Sequence, residues 1–359
     1  MSKLFEPFRL GRITLKSRVV MNPMTRSRAP GNVPNDLMVE YYRQRAGGGL
    51  IITEGTSPSP DGLGYARIPG IFTEEQARAW RPVTDAVHAK GGHIFVQLMH
   101  TGRVGHPLNL PANGRVVAPS AVTAPGTMWT DQEQAQPHPV PVEMTADDVE
   151  RALGEFVSAS ALAVDTAGFD GVEIHGANGY LVEQFLNAGS NHRTDAWGGS
   201  PEKRIRFAVE AARRVAERIG ADRVGIRLSP FGANGGMTSD DTTHATFSLL
   251  AKALAPLGLA YVHVVDHSSM GAPPVPQETK DAIRAGFGGV VILAGGYDRA
   301  RAEADIDAGR GDLIGFGRPF ISNPDLVARL QEGAPLASPD FSTLYTPGPK
   351  GYTDYPALT

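Results

Sequence analysis

Cysteine is absent from all 359 residues. The chain therefore holds no disulfide, thiolate zinc site, cysteine-ligated iron–sulfur cluster or thiol nucleophile. Lysine is scarce: Lys3, Lys16, Lys90, Lys203, Lys252, Lys280 and Lys350 are all of it, and none closes a predicted strand. That argues against Schiff-base chemistry. Cationic blocks are missing too. With 34 Lys and Arg against 38 Asp and Glu the formal charge is −4, which points away from nucleic acid as a partner. No apolar run approaches the roughly 18 residues of a membrane span, and the opening MSKLFEPF lacks the apolar stretch of a signal peptide. The expected class is a cytoplasmic enzyme acting on small molecules, as a monomer or small homo-oligomer.

What is present is a repeating pattern with many turns, made by 42 Gly and 28 Pro. Short β-rich apolar runs recur at Arg18–Met21, Leu50–Thr53, His93–Leu98, Gly171–Ile174, Val224–Leu228, Ala260–Val265, Gly289–Leu293 and Asp312–Phe316. Each is bounded by turn residues and most lead into a helical pattern, as buried parallel strands do. Thr73 to Gln76 and Thr145 to Asp148 have capping-box spacing, and Ser200-Pro201-Glu202 and Asn323-Pro324-Asp325 read as cap, first-turn proline and acid. Eight such units predict an α/β fold, a single (β/α)₈ TIM barrel, rather than an open doubly wound sheet. The latter wants GxGxxG after the first strand, where this chain has MNPMTR. Phe8–Leu15 reads as an N-terminal hairpin turning at Gly11 and plugging the barrel floor. Thr101–Val142 is a long loop excursion after the third strand, and the tail from Pro335 onward is expected to fold back as a lid.

Barrel active sites lie at the C-terminal strand ends. Those ends carry Asn22, Pro23 and Thr25, then Glu54 and Gly55, Gln97, Met99 and His100, His175 to Tyr180, and Arg227. The last two strands end in Ala294-Gly295-Gly296 and Gly317-Arg318, the place where such barrels bind phosphate on backbone N–H groups. The alternative is that these glycines only make tight turns. His175 and Asn178 stand three apart where a strand enters a helix, so on a first helical turn both would reach one oxygen and stabilise an enolate. Tyr180 follows as a candidate proton donor. A structural histidine with a capping asparagine is the other reading. Arg227, inside an apolar run, needs an anionic partner, either a carboxylate such as Glu173 or Glu54 or an electron-rich cofactor edge. His263, Asp266 and His267 lack the ordered third ligand usual for zinc catalysis, and the arginines of the 204–218 stretch fit a solvated helix face.

Read together, KLFEPFRLGRITLKSRVVMNPMTR, EYYRQRAGGGLIITEGT, HGANGYLVEQFLNAGSNHRTDAWGGSPEKR, VGIRLSP, FGRPFISNPDL and KGYTDYP resemble the Old Yellow Enzyme family of ene-reductases over almost the whole chain. The resemblance implies one TIM-barrel domain over residues 1–359 holding non-covalent FMN. NADPH or NADH would be the hydride donor, and activated alkenes (enone, enal, maleimide, nitroalkene) the acceptors. It implies that Asn22, Pro23, Met24, Thr25, Gly55, Gln97 and Arg227 line the isoalloxazine and ribityl chain. Ala294, Gly295, Gly296, Gly317 and Arg318 would hold the phosphate. His175 and Asn178 would bind the substrate carbonyl, Tyr180 would protonate Cα, and Thr25, Met99 and Tyr345 would complete the substrate pocket. Met99 stands where many relatives carry Trp, and Thr25 where a redox-sensing subgroup carries Cys. The rival readings are a phosphate-binding barrel lyase or isomerase without flavin, and a non-catalytic flavin-binding protein.

Overall fold

A strand buried on both faces needs a neighbour on each edge and cover on each side, and a closed barrel ringed by helices supplies all of these. The computed structural model describes residues 2–358; Met1 and Thr359, the bounds of the expected domain, lie outside the described residues. The chain opens with an antiparallel hairpin, β1 (Phe8–Leu10) and β2 (Ile13–Leu15). β3 (Val19–Met21), β4 (Leu50–Thr56) and β5 (Ile94–Leu98) begin the barrel. The excursion after β5 carries β6 (Val117–Ala118), β7 (Thr127–Thr130), β8 (Gln134–Pro137) and β9 (Val142–Glu143), of which β7 and β8 pair as a hairpin. β10 (Gly171–Gly176), β11 (Val224–Leu228), β12 (Tyr261–Val265), β13 (Val291–Ala294) and β14 (Leu313–Phe316) complete the circuit.

The eight long-range strands close in the order β3-β4-β5-β10-β11-β12-β13-β14, all parallel. Every expected strand is there. β4 runs on to Thr56 because a register shift between Ile52 and Gly55 lets it keep pairing with β5. The period of two sends one set of side chains out to the helices, Val172, Ile174, Ile226, Val262 and Ile314 among them. The other set points inward and changes character with height. On the floor, Val20, Leu50, Ile52, Phe95, Tyr261, Ile292 and Leu313 close over Leu10 and Leu15 of the hairpin, which is the expected plug. Gly225 belongs to this tier because a Cβ there would stand 2.2 Å from the Tyr261 ring. Above it the inward positions turn polar: Gln97, Glu173, His175, Arg227 and His263, cross-paired in register as Glu173↔Gln97, His175↔Arg227 and Arg227↔His263.

Both capping boxes form, Thr73 with Gln76 on Glu74–Ala89 and Thr145 with Asp148 on Ala146–Ala161. Two local expectations need correction. Asn323 starts no helix: it closes Arg318–Ser322 at its C-terminal end, the next α-helix, Leu326–Glu332, begins after Asp325, and the Asn323 side chain bonds Pro319 and Ala337, tying the tail down. Arg204 is not on a solvated face but buried, bonding the carbonyls of Leu186 and Gly199 and the hydroxyls of Thr242 and Thr246. Arg213, Arg214 and Arg218 do sit on the surface in ion pairs.

The tail does return to the barrel mouth. Buried Arg28 donates to the carbonyls of Thr343, Leu344, Gly348 and Lys350, and Arg26 to those of Leu344 and Gly351. Tyr352 is fully buried and stacks on Tyr41 at 4.1 Å between ring centroids.

Candidate active site

A cavity of about 780 Å³ opens at the C-terminal end of the barrel, within the usual range for a small-molecule or cofactor site. Its lining gathers residues from all eight barrel strand ends, although Ala294 itself is not among them. Asn22, Pro23, Met24, Thr25, Gly55, Gln97, Met99, His175, Asn178, Tyr180, Arg227, Gly295, Gly296, Gly317, Arg318 and Tyr345 all line it. Ala294 lies behind it, packed on Ala177 and Val265, with its carbonyl accepting from Asp266 N. Several lining residues came from loops that carry no periodic signal: Tyr65, Asn234, His267, Met270 and Phe341.

His175 and Asn178 both face the cavity, but not from a helical turn. β10 runs through Gly176, Asn178 and Gly179 take positive φ of 61° and 76°, and the helix starts only at Leu181. The Asn-Gly pair is itself a turn signal and is the clue in the sequence that a helical spacing does not apply. Nδ1 of His175 accepts from Ala177 N at 3.3 Å. An Nδ1 that accepts leaves the hydrogen on Nε2, so the neutral ring is a donor there. Burial, then the charge of Arg227, holds the His175 pKa well below its ordinary value, which keeps the ring neutral. Tyr180 packs edge-on against His175, ring centroids 4.8 Å apart, and its hydroxyl lies 2.8 Å from that of Tyr65. Burial and the neighbouring Tyr65 push its phenol well above the usual range, so the proton stays on.

Beneath these groups lies a buried polar tier. Glu173 accepts from Gln97 Nε2 at 2.8 Å and pairs with His263 Nδ1 at 2.8 Å. Asp266 is tied to Lys280 at 2.7 Å, and among the described residues no cluster of three His, Cys, Asp or Glu could hold a metal ion. Buried polar atoms left over face this region: Arg227 Nε, Asn22 Oδ1, Asn178 Oδ1 and His267 Nδ1 have no partner in the protein. Such orphans are costly unless a ligand satisfies them. At the far end Gly295 and Gly296 take φ of 126° and 62°, and Arg318 makes no ion pair among the described residues. A cation, a guanidinium-lined pocket wall, an amide and a glycine-rich end fit a planar heteroaromatic group carrying a phosphate.

Residues 3–337 match the model of the NADH:flavin oxidoreductase / NADH oxidase family. The chain belongs to this family. It is 45% identical to chanoclavine-I aldehyde reductase of Penicillium roqueforti, over 99% of this chain and 96% of that one. The structure of morphinone reductase superposes with a TM-score of 0.95 at 44% identity, covering 99% of this chain and 96% of that one. That of the Old Yellow Enzyme homologue from Zymomonas mobilis gives 0.94 at 41%, covering 99% and 100%. The chain is thus an NAD(P)H-dependent flavin oxidoreductase of the Old Yellow Enzyme type, with FMN as its cofactor and flavin-dependent ene-reduction as its reaction. The lyase and non-catalytic readings are not favoured. Among the described residues no helix is long and apolar enough to cross a membrane.

Proposed function

We propose that His175 and Asn178 hold the activating oxygen of an enone, enal, maleimide or nitroalkene in this cavity, and that Tyr180 delivers a proton to its α carbon. Bound FMN supplies a hydride carrier, reloaded by NADPH or NADH. The observation that carries this reading is one wall of the cavity: a neutral imidazole donating from Nε2, a carboxamide at Asn178 and a phenol held protonated at Tyr180. Two neutral donors on one oxygen stabilise the negative charge that builds there as hydride arrives at the β carbon. A phenol with a raised pKa does not lose its proton to solvent beforehand, yet can pass it to a carbanion, a far stronger base.

Toward the cofactor, Arg227, buried and permanently charged, would favour the reduced, more negative ring by Coulomb attraction. Gln97, with one amide hydrogen committed to Glu173, keeps its oxygen and other hydrogen for the ring edge. Asn22 to Thr25 and Gly55 would complete the ring site. Gly295, Gly296, Gly317 and Arg318 would take the phosphate, with Ala294 supporting the turn from behind. Met99 and Tyr345 would shape the substrate end, Met99 as an adaptable wall. Relatives named for an aldehyde and for morphinone support a carbonyl-bearing acceptor.

The test is isotopic. Cyclohexenone reduced with nicotinamide deuterated at the transferred position should carry the label on the β carbon. Reduction in deuterium oxide with unlabelled nicotinamide should label the α carbon. Nicotinamide-derived label at the α carbon, or no saturated ketone at all, overturns the assignment.

A further inference from the structure

We infer that Glu183 and Ser229 hold Asn178 in its cavity-facing conformation, which makes Glu183 a positioning residue for the carbonyl-binding pair. This rests on the role proposed above for Asn178. A non-glycine residue at φ of 61° is held against a backbone preference that costs of order 1 kcal/mol or more, so something must fix it. The fixing groups are consecutive and buried. Ser229 Oγ, at the end of β11, accepts from Asn178 N at 2.9 Å and donates to Glu183 Oε1 at 2.7 Å. The other carboxylate oxygen, Oε2, accepts from Gly179 N at 2.6 Å. The next side chain, Gln184, donates to the carbonyl of Gly179 at 2.7 Å.

The turn is therefore gripped at both of its N–H groups and one carbonyl, leaving the Asn178 side chain as its part without a protein partner at Oδ1. Glu183 is 3% exposed and Ser229 1%, and no ion pair in the described residues involves Glu183. A buried carboxylate without a cation is expensive. Satisfying one N–H would need only an amide. Glu183 meets two partners at once, the Ser229 hydroxyl at Oε1 and the Gly179 N–H at Oε2, and an apolar side chain of the same length would leave both unmet. No side chain fits at Gly179, where a Cβ would lie 2.3 Å from the Asn234 carbonyl.

The experiment uses the flavin-loaded enzyme and cyclohexanone, a carbonyl ligand that cannot be reduced at a double bond, with its dissociation constant read from the flavin absorbance change. Glu183→Leu and Ser229→Ala should each weaken binding about tenfold, roughly one charge-assisted hydrogen bond's effect. KM for cyclohexenone should rise by more than kcat falls, and Ser229→Thr, which restores a hydroxyl, should recover most of the affinity. Flavin content and melting temperature of each variant report folding separately. Asn178→Ala serves as the reference. If it weakens cyclohexanone binding while Glu183→Leu and Ser229→Ala leave it unchanged, the positioning inference fails and the carbonyl-binding reading stands. If Asn178→Ala itself changes nothing, both fall.

Discussion

Replacing Tyr180 by phenylalanine separates the proton from everything else that residue does. The ring is kept, so the edge-on contact with His175 at 4.8 Å and the burial of the side chain survive. The lost group is one hydroxyl, 2.8 Å from that of Tyr65. Tyr65 is only partly buried and can find water, so the stability loss is about 1 kcal/mol. Catalysis should lose far more: a positioned general acid contributes roughly 10²–10⁴-fold, or about 3–5 kcal/mol of barrier. Anaerobic stopped-flow absorbance resolves where the loss falls. Oxidation of the reduced enzyme by cyclohexenone should slow about 10²-fold or more, while reduction by NADPH, which needs no proton from residue 180, should change within about threefold, under 1 kcal/mol. In the unsubstituted enzyme the oxidative step should show no loss through ionisation of Tyr180 up to pH 10, because its pKa is raised above that value and the protonated form persists. Equal slowing of both half-reactions, or no slowing of either, would refute the proton-donor assignment.

Burial pushes Glu54 up to about 7 from an ordinary 4.5, against partial relief from Arg26 and Tyr42. The folded state thus binds this proton more tightly than the unfolded chain, and the contribution of Glu54 to stability falls by about 3 kcal/mol as pH rises from 4.5 to 7. Glu183, also pushed to about 7 by burial, adds a parallel fall. His100, His175, His263 and His267, held neutral by burial, tilt the profile the other way, because the unfolded chain takes up their protons as pH falls. Glu54→Gln should therefore make the pH slope of urea stability between pH 5 and 7 more positive than in the unsubstituted protein, by up to about 1.4 kcal/mol per pH unit for the one proton removed, and an unaltered slope counts against the assignment. Gly225→Ala drives a methyl to 2.2 Å from the Tyr261 ring. It should cost about 3 kcal/mol or more in urea unfolding, and a loss under about 1 kcal/mol would mean the floor is looser than described. Arg28→Met strands the carbonyls of residues 343, 344, 348 and 350. Each charge-assisted bond contributes about 1.5–3 kcal/mol before compensation, so limited proteolysis should cut the C-terminal tail first. A tail as resistant as before would show that Tyr352 and Tyr41 hold it alone.

The barrel strands were legible because burial on both faces leaves a plain signature: short β-rich runs between turn residues, such as Val224–Leu228. The site was legible one step later, because barrel geometry converts a strand end into a position at the cavity, as with Gln97, Arg227 and His175. What failed was local. A spacing of three between His175 and Asn178 matched a helical turn, but the chain there passes through left-handed backbone at Asn178 and Gly179. The residue reading placed them correctly in space for the wrong geometric reason. Arg204 departs from the solvated face because it ends the short helix Pro201–Arg204, before Arg206–Ile219 begins, and is buried against four acceptors, which a run of arginines in sequence does not reveal. Tyr65, Asn234 and Phe341 come from irregular segments, and the grip of Arg26 and Arg28 on the tail joins residues more than 300 apart. No pattern of neighbours in sequence encodes such contacts.

The claim on which the whole account depends is that one cavity serves two successive partners through a bound flavin. Its most direct measurement is an anaerobic titration of the purified holoenzyme followed in the visible flavin band. Stoichiometric NADPH or NADH should bleach the band, and one equivalent of cyclohexenone should then restore it with release of cyclohexanone. A band that never bleaches, or one that bleaches and stays colourless in the presence of the enone, would contradict the account.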